Sequence, residues 1–130
     1  MTSSSPQPLV LIVDDSEKNR KRAREVLRAA GFRTLEAARG DEAIAVAARR
    51  GPDLILLDLR LPDMHGTDVA RKLRGGAETR RIPVVALSAS PIAGGGDRLL
   101  ATGFDGYLQK PIDVRAFPKQ VRRYLGTDRS

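Results

Sequence analysis

The stretch Asp53-Leu-Ile-Leu-Leu-Asp-Leu-Arg-Leu-Pro-Asp-Met-His-Gly66 decides how this sequence folds. Its apolar run, residues 54–57, is short and has no polar face, which is typical of a strand buried on both sides of a parallel sheet. The run ends at Asp58, and Pro62 and Gly66 then predict a loop. A lone Asp after a strand is usually a turn residue or a helix cap, so the meaning of Asp58 depends on the rest of the chain.

Composition places the chain among single globular domains. It has 130 residues, of which 41% are hydrophobic and 30% charged, and this is enough for one core. The sequence has no cysteine, which excludes disulfides and thiolate metal sites. No apolar stretch approaches the roughly 20 residues of a membrane span. We expect a cytoplasmic protein with one domain over residues 9–126, between disordered tails at 1–8 and 127–130.

Strand-like and helix-like segments alternate along the whole chain. Further strands are predicted at 9–13, 32–37, 82–87 and 104–109, and helices over about 17–30, 41–50 and 66–75. Because three consecutive glycines at 94–96 each cost a helix roughly 1 kcal/mol relative to Ala, a fourth helix should start late, near Asp97. The last helix should start at Asp113 or, because of Pro118, near Phe117. This alternation predicts an α/β fold, a doubly wound five-stranded parallel sheet with helices on both faces.

Each helix is predicted to bury an apolar face and to expose its charges. The second helix should bury Ala43, Ile44, Ala47 and Ala48, and the last should bury Val114, Phe117, Val121, Tyr124 and Leu125. The outer face of the first helix is basic and carries Lys18, Arg20, Lys21, Arg22, Arg24 and Arg28. With a net charge of +7, this face raises nucleic-acid binding as an alternative, although a basic solvated surface is more common and aromatic residues for stacking are scarce.

Reactive polar residues follow four of the predicted strands: Asp14 with Asp15, then Asp58, Ser88 and Lys110. Parallel strands end at the same edge of a sheet, so these side chains should meet there. Two carboxylates 4 Å apart repel by about 4 kcal/mol at an effective dielectric of 20, so we expect Lys110 and a hard divalent cation to offset their charge. Mg²⁺ suits oxygen ligands, with Mn²⁺ as a substitute. The only histidine, His65, is predicted to be an exposed loop residue.

A carboxylate nucleophile, a metal ion, a lysine and a hydroxyl are the parts of a phosphoryl-transfer site. The sequence has no Walker loop, so the phosphoryl group should arrive on a donor rather than on a bound nucleotide. An Asp-nucleophile phosphatase remains an alternative, although such enzymes typically use an Asp-x-Asp motif and the acids here are adjacent. In this order, the motifs resemble the receiver domain of bacterial two-component response regulators, in its stand-alone, DivK-like type. The resemblance covers about residues 9–125.

The resemblance implies a flavodoxin-like (βα)5 fold with strand order 2-1-3-4-5. It implies that Asp58 is the phosphoacceptor and that Asp14, Asp15, Asp58 and the backbone carbonyl of Arg60 hold the metal. Lys110, Ser88 and Ala89 would contact the phosphoryl group. The switch pair would be Ser88 and Tyr107. The Lys110–Pro111 peptide would be cis. The lifetime of the phosphoryl group would be tuned by Arg60 and Ser90.

The implied function is a signalling switch rather than an enzyme. A histidine kinase or histidine phosphotransfer protein would donate the phosphoryl group to Asp58. The fourth helix, fifth strand and fifth helix would relay the change to a downstream protein. The chain would act as a monomer or weak dimer, without direct binding to DNA or membranes.

Overall fold

The computed structural model describes residues 7–89 and 97–125. It contains β1 (Leu9–Val13), α1 (Glu17–Ala29), β2 (Arg33–Ala37), α2 (Gly40–Arg50), β3 (Leu54–Asp58), α3 (Gly66–Gly75), β4 (Val84–Ser88), α4 (Asp97–Ala101), β5 (Gly106–Gln109) and α5 (Phe117–Leu125). All strand pairs are parallel and the order is β2-β1-β3-β4-β5. The predicted fold class and strand order are therefore confirmed.

The sheet separates two apolar layers because successive side chains of a strand point to opposite faces. Every residue of β1 and β3 is buried. On one face, residues such as Leu11, Ile55 and Leu57 pack with α2, α3 and α4. On the other face, Val10, Ile12, Leu54 and Leu56 pack with α1 and α5, whose largest buried side chain is Phe117.

Local signals explain where several helices begin and end. The Ser16 side chain accepts a hydrogen bond from the Asn19 N–H and caps α1. Gly51 ends α2 in the left-handed conformation, with φ of 57°. Before α5, the Asp113 side chain accepts from the Arg115 and Ala116 N–H groups, and the regular helix then begins at Phe117. Of the two predicted starts, the later one is observed.

Three strands start later than predicted, because the chain first bonds to the preceding segment. The Phe32 N–H donates to the Leu27 carbonyl, and the Phe104 N–H donates to the Leu99 carbonyl, so both residues still belong to helix ends. The Ile82 N–H donates to the Thr79 carbonyl within a turn, and β4 begins only at Val84.

Two predicted core positions and two predicted surface positions are wrong. Ala48 is exposed, and so is Val114, which precedes α5 and is 56% exposed. Arg20 and Arg24 do not point freely to solvent, because the Glu36 carboxylate of β2 accepts from Arg20 Nε at 3.2 Å and from Arg24 Nη1 at 2.7 Å. The basic face of α1 is therefore smaller than its sequence suggests.

Some predictions fall outside the described residues: Ser90, the glycines at 94–96, and most of both tails. Within residues 7–89 and 97–125, none of the helices has the length and apolar character needed to span a bilayer.

Candidate functional site

Three of the predicted residues meet at the carboxyl edge of the sheet. Asp14 directly follows β1, Asp58 is the last residue of β3, and Lys110 directly follows β5. Lys110 Nζ donates to Asp14 Oδ2 at 2.7 Å and to Asp58 Oδ2 at 3.1 Å. Residues far apart in sequence thus form one ionic cluster, because parallel strands bring their ends together.

Asp14 is held in place through both its backbone and its side chain. Its N–H donates to the Ala37 carbonyl of β2 at 3.1 Å, and its Oδ1 accepts from the Ser16 N–H at 2.9 Å. Arg20 Nη1 donates to the Asp14 carbonyl at 2.7 Å. With 2% of its surface exposed, Asp14 has a fixed carboxylate that faces Lys110.

Asp58 is a buried carboxylate whose two oxygens have different partners. Oδ2 accepts from Lys110, and Oδ1 accepts from the Arg60 N–H at 3.0 Å. Burial raises the pKa of Asp58, and the negative charge of Asp14 adds to this effect. The hydrogen bonds from Arg60 and Lys110 oppose it without cancelling it. The side chain therefore sits where its charge is costly and an added cation would stabilise it.

Lys110 supplies the positive charge of the cluster. Burial alone would lower the pKa of its ammonium, but the hydrogen bonds and negative charges of Asp14 and Asp58 outweigh burial and raise the pKa overall. Lys110 is therefore positively charged at neutral pH and partly balances the two acids.

Asp15 adds a third carboxylate from the solvent side. One oxygen each of Asp14, Asp15 and Asp58 lies within 4.8 Å of the others. Asp15 is exposed whereas the other two are buried, so the group opens toward water. Three carboxylates against one lysine leave an excess of negative charge, and oxygen donors open to water are what Mg²⁺ prefers. The residues therefore fit a hard divalent cation.

Four further predicted features fall within the described residues: Ser88, Ala89, Tyr107 and the Lys110–Pro111 peptide bond. Ser88 ends β4, and its carbonyl accepts from the Lys110 N–H at 2.7 Å. Ala89 lines a cavity of about 330 Å³ together with Asp14 and Lys110. Tyr107 lies on β5 and is 40% exposed. The Lys110–Pro111 peptide bond is cis.

The loop between β3 and α3, residues 59–65, holds contacts that the sequence did not reveal. Arg60 is exposed, but its N–H orients Asp58, and Arg60 forms an isolated antiparallel bridge with His65. His65 is exposed as predicted, and its Nδ1 also accepts from the Thr67 N–H at the start of α3. A Cβ atom on Gly66 would lie 2.8 Å from the Asp58 carbonyl, which explains the glycine that closes the loop.

Comparison with known proteins gives one consistent family. Residues 10–122 match the response regulator receiver domain. The polar-differentiation response regulators DivK of Brucella ovis and of Brucella abortus strain 2308 are each 38% identical to this chain over 117 residues, covering 90% of it and 95% of their own length.

Solved structures agree with the sequence comparison. The chemotaxis response regulator CheY4 of Vibrio cholerae has a TM-score of 0.85 at 29% identity, covering 91% of this chain and 98% of its own. The receiver domain of sensor histidine kinase PA1611 from Pseudomonas aeruginosa was solved with a magnesium ion coordinated in its active site cleft. It has a TM-score of 0.84 at 31% identity and covers 93% of this chain and 99% of its own.

Proposed function

The chain belongs to the response regulator receiver domain family of two-component signalling, and from this premise we propose that it is a switch operated by phosphorylation of Asp58. The observation that supports this most directly is the Lys110 ammonium shared between Asp14 and Asp58, with the Asp15 carboxylate beside these two acids. This arrangement combines a carboxylate nucleophile with the positive charge that phosphoryl transfer needs.

The proposed donor is a phosphohistidine on a histidine kinase or a histidine phosphotransfer protein. An Asp58 carboxylate oxygen attacks the phosphorus, a new O–P bond forms, and the N–P bond breaks with its electron pair leaving on the imidazole nitrogen. Lys110 moves its hydrogen bonds from the carboxylates toward the phosphoryl oxygens. The Ser88 hydroxyl and the Ala89 N–H contact the same oxygens from the end of β4.

Asp14, Asp15, Asp58 and the Arg60 carbonyl would hold Mg²⁺. When bound, the ion supplies positive charge that the excess of carboxylates requires and that the phosphoryl oxygens need during transfer. The Pseudomonas receiver with magnesium in its cleft supports this proposal, since it shares the fold and 31% of the aligned residues. Arg60 and Ser90 are proposed to flank the phosphoryl group and to set its lifetime.

The phosphoryl group carries a charge of about −1.5 to −2 at neutral pH and replaces the single negative charge of the Asp58 carboxylate, so charge and three acceptor oxygens are gained at one point, which is the physical signal. Ser88 moves toward it, and Tyr107, half exposed on β5, turns inward into the space that Ser88 leaves. The face formed by α4, β5 and α5 then presents a different surface to a downstream protein. We propose a cytoplasmic regulatory domain, monomeric or weakly dimeric, whose chemistry is confined to its own phosphorylation and dephosphorylation.

Incubation with acetyl phosphate and Mg²⁺ tests the proposal. Wild type should gain the mass of one phosphoryl group, and Asp58→Asn should gain none because its amide is not a nucleophile. Asp68→Asn is the matched control, since Asp68 is an exposed acid of α3 that pairs only loosely, at 3.6 Å, with Arg71. Undiminished labelling of Asp58→Asn, measured by intact mass, would refute Asp58 as the acceptor.

A further inference from the structure

Asp63 connects the loop at residues 59–65 to the start of α2. Its Oδ1 accepts from the Gly40 N–H at 2.7 Å, and its Oδ2 accepts from the Asp41 N–H at 2.9 Å. The first N–H groups of a helix have no partner within the helix. The residue before α2, Arg39, provides no side-chain cap, so Asp63, from a distant part of the chain, takes that role.

The same two segments are also packed tightly against each other. A Cβ atom on Gly40 would lie 2.5 Å from Met64 Cγ and 2.8 Å from Val69 Cγ2, so Met64 occupies the space that a larger residue would fill. The hydrogen bonds of Asp63 and the packing of its neighbour Met64 therefore fix the same end of the loop. The Gly40 and Asp41 N–H groups also hold the pKa of the Asp63 carboxyl below its usual value, so it remains a charged acceptor.

The other end of the loop reaches the acidic cluster. The Arg60 N–H donates to Asp58 Oδ1, and the Gly66 N–H donates to the Leu59 carbonyl at 2.8 Å. Arg60 and His65 form a bridge across the loop. Arg60 and Asp63 thus belong to one short loop that is hydrogen-bonded to Asp58 at one end and to α2 at the other.

We propose that Asp63 is a positioning residue for the metal site, acting through its two hydrogen bonds to α2 and through the loop that carries the Arg60 carbonyl. Asp63 itself touches neither metal nor phosphoryl group. The inference rests on the proposed function, in which the Arg60 carbonyl is a metal ligand. Groups that orient metal ligands commonly change metal affinity by about tenfold or more when they are removed.

The experiment measures Mg²⁺ binding by titration calorimetry for wild type, Asp63→Ala, Asp63→Asn and Asp68→Asn. Asp63→Ala removes both the charge and the acceptors, and its dissociation constant should rise by about tenfold. Asp63→Asn removes the same charge but keeps one acceptor oxygen, so its affinity should lie between wild type and Asp63→Ala. Asp68→Asn removes a similar surface charge without touching α2 and should bind like wild type.

Amide spectra supply a readout that does not depend on the metal. In Asp63→Ala, the Gly40 and Asp41 N–H signals should shift upfield and exchange faster, while thermal denaturation shows that the fold is retained. If those amides lose protection and Mg²⁺ affinity is unchanged, the inference is wrong. Equal losses in Asp63→Ala, Asp63→Asn and Asp68→Asn would reduce the effect to charge and overturn it as well.

These outcomes separate the inference from the proposed function. A wild-type chain that neither binds Mg²⁺ nor accepts a phosphoryl group would overturn both. A wild-type chain that does both, with an Asp63→Ala variant that binds Mg²⁺ equally well, would overturn only the role of Asp63.

Discussion

The two edges of the sheet both contain partly buried ion pairs, but they differ in charge balance. At the carboxyl edge, the Lys110 ammonium binds Asp14 and Asp58, and Asp15 adds a third carboxylate within 4.8 Å of these two acids. At the opposite edge, Arg74 of α3 pairs with Asp105 at 2.9 Å, with side chains 16% and 8% exposed. The cluster at the carboxyl edge has an excess of carboxylates, whereas Arg74 and Asp105 at the opposite edge are joined as a pair of opposite charges.

The Arg74–Asp105 pair also forms several hydrogen bonds to the backbone. Arg74 Nε donates to the Gly103 carbonyl, and Nη1 donates to the carbonyls of Arg80 and Ile82. The Asp105 carboxylate also accepts from the Val84 N–H at 2.8 Å. The Arg74–Asp105 pair therefore joins α3, the start of β4 and the segment before β5. Removing one member of such a pair leaves the other charge poorly compensated and destabilises the fold. A cluster with an excess of carboxylates is instead stabilised when a cation binds.

The largest expected effect comes from removing Arg74 from its pair with Asp105. Arg74→Met keeps most of the side-chain volume but removes the guanidinium that binds the Asp105 carboxylate and the carbonyls of Gly103, Arg80 and Ile82. We expect the free energy of unfolding to fall by about 3–5 kcal/mol, as for other broken buried pairs. Urea denaturation measures this loss, and phosphoryl labelling of the folded variant should persist.

Arg71→Met is the matched control on the same helix. Its pair with Asp68 is open to solvent, with side chains 65% and 51% exposed, so its removal should cost less than about 1 kcal/mol. Equal losses in the two variants would mean that burial and bonding of Arg74 do not explain its contribution.

A smaller effect tests whether the excess of carboxylates at the carboxyl edge binds Mg²⁺. If the excess carboxylates bind Mg²⁺, saturating metal should stabilise the wild-type protein by about 2.7 kcal/mol at one hundred times the dissociation constant. Asp14→Asn removes one of the buried acids and should lose most of this gain, whereas Arg74→Met should keep it. Urea denaturation with MgCl2 or with chelator measures the difference. An equal gain in Asp14→Asn would show that the metal acts elsewhere.

The smallest effect concerns pH in the absence of metal. Because burial raises the pKa of Asp58 above its ordinary 3.8, the folded state binds the proton more tightly than the unfolded chain. Wild-type stability should therefore fall as the pH rises through the folded-state pKa of Asp58. Asp58→Asn has no such proton to lose, so its Tm relative to wild type should increase between acidic and neutral pH. A Tm difference that does not change with pH would contradict this assignment.

Predictions from the sequence were correct where the residues of a short segment are enough to determine its burial or its place in the sheet. The runs in β1 and β3 are apolar at every position, so their burial on both faces and their central place in the sheet follow directly. The meeting of Asp14, Asp58 and Lys110 followed from the shared direction of parallel strands. The late start of α5 followed from the chemistry of Pro118.

They failed where the partner of a side chain lies far away in sequence. Arg20 and Arg24 look solvent-exposed on a helix, yet Glu36 of β2 binds both. The sequence alone does not show that Arg74 joins α3 to the segments before β4 and β5. Nor does it show that Asp63 joins the loop at residues 59–65 to α2. The helical period places Ala48 on the apolar face of α2, but α2 contacts the core over a narrower face that leaves Ala48 out.

The two apolar layers on either side of the sheet also separate the effects of core substitutions. Neighbouring residues of β3, such as Leu56 and Leu57, belong to different layers, so substitution of one repacks one side only. A substitution in the layer under α1 and α5 should therefore leave the packing under α2, α3 and α4 nearly unchanged. Urea denaturation of single core variants would then report on the packing of one side of the sheet at a time.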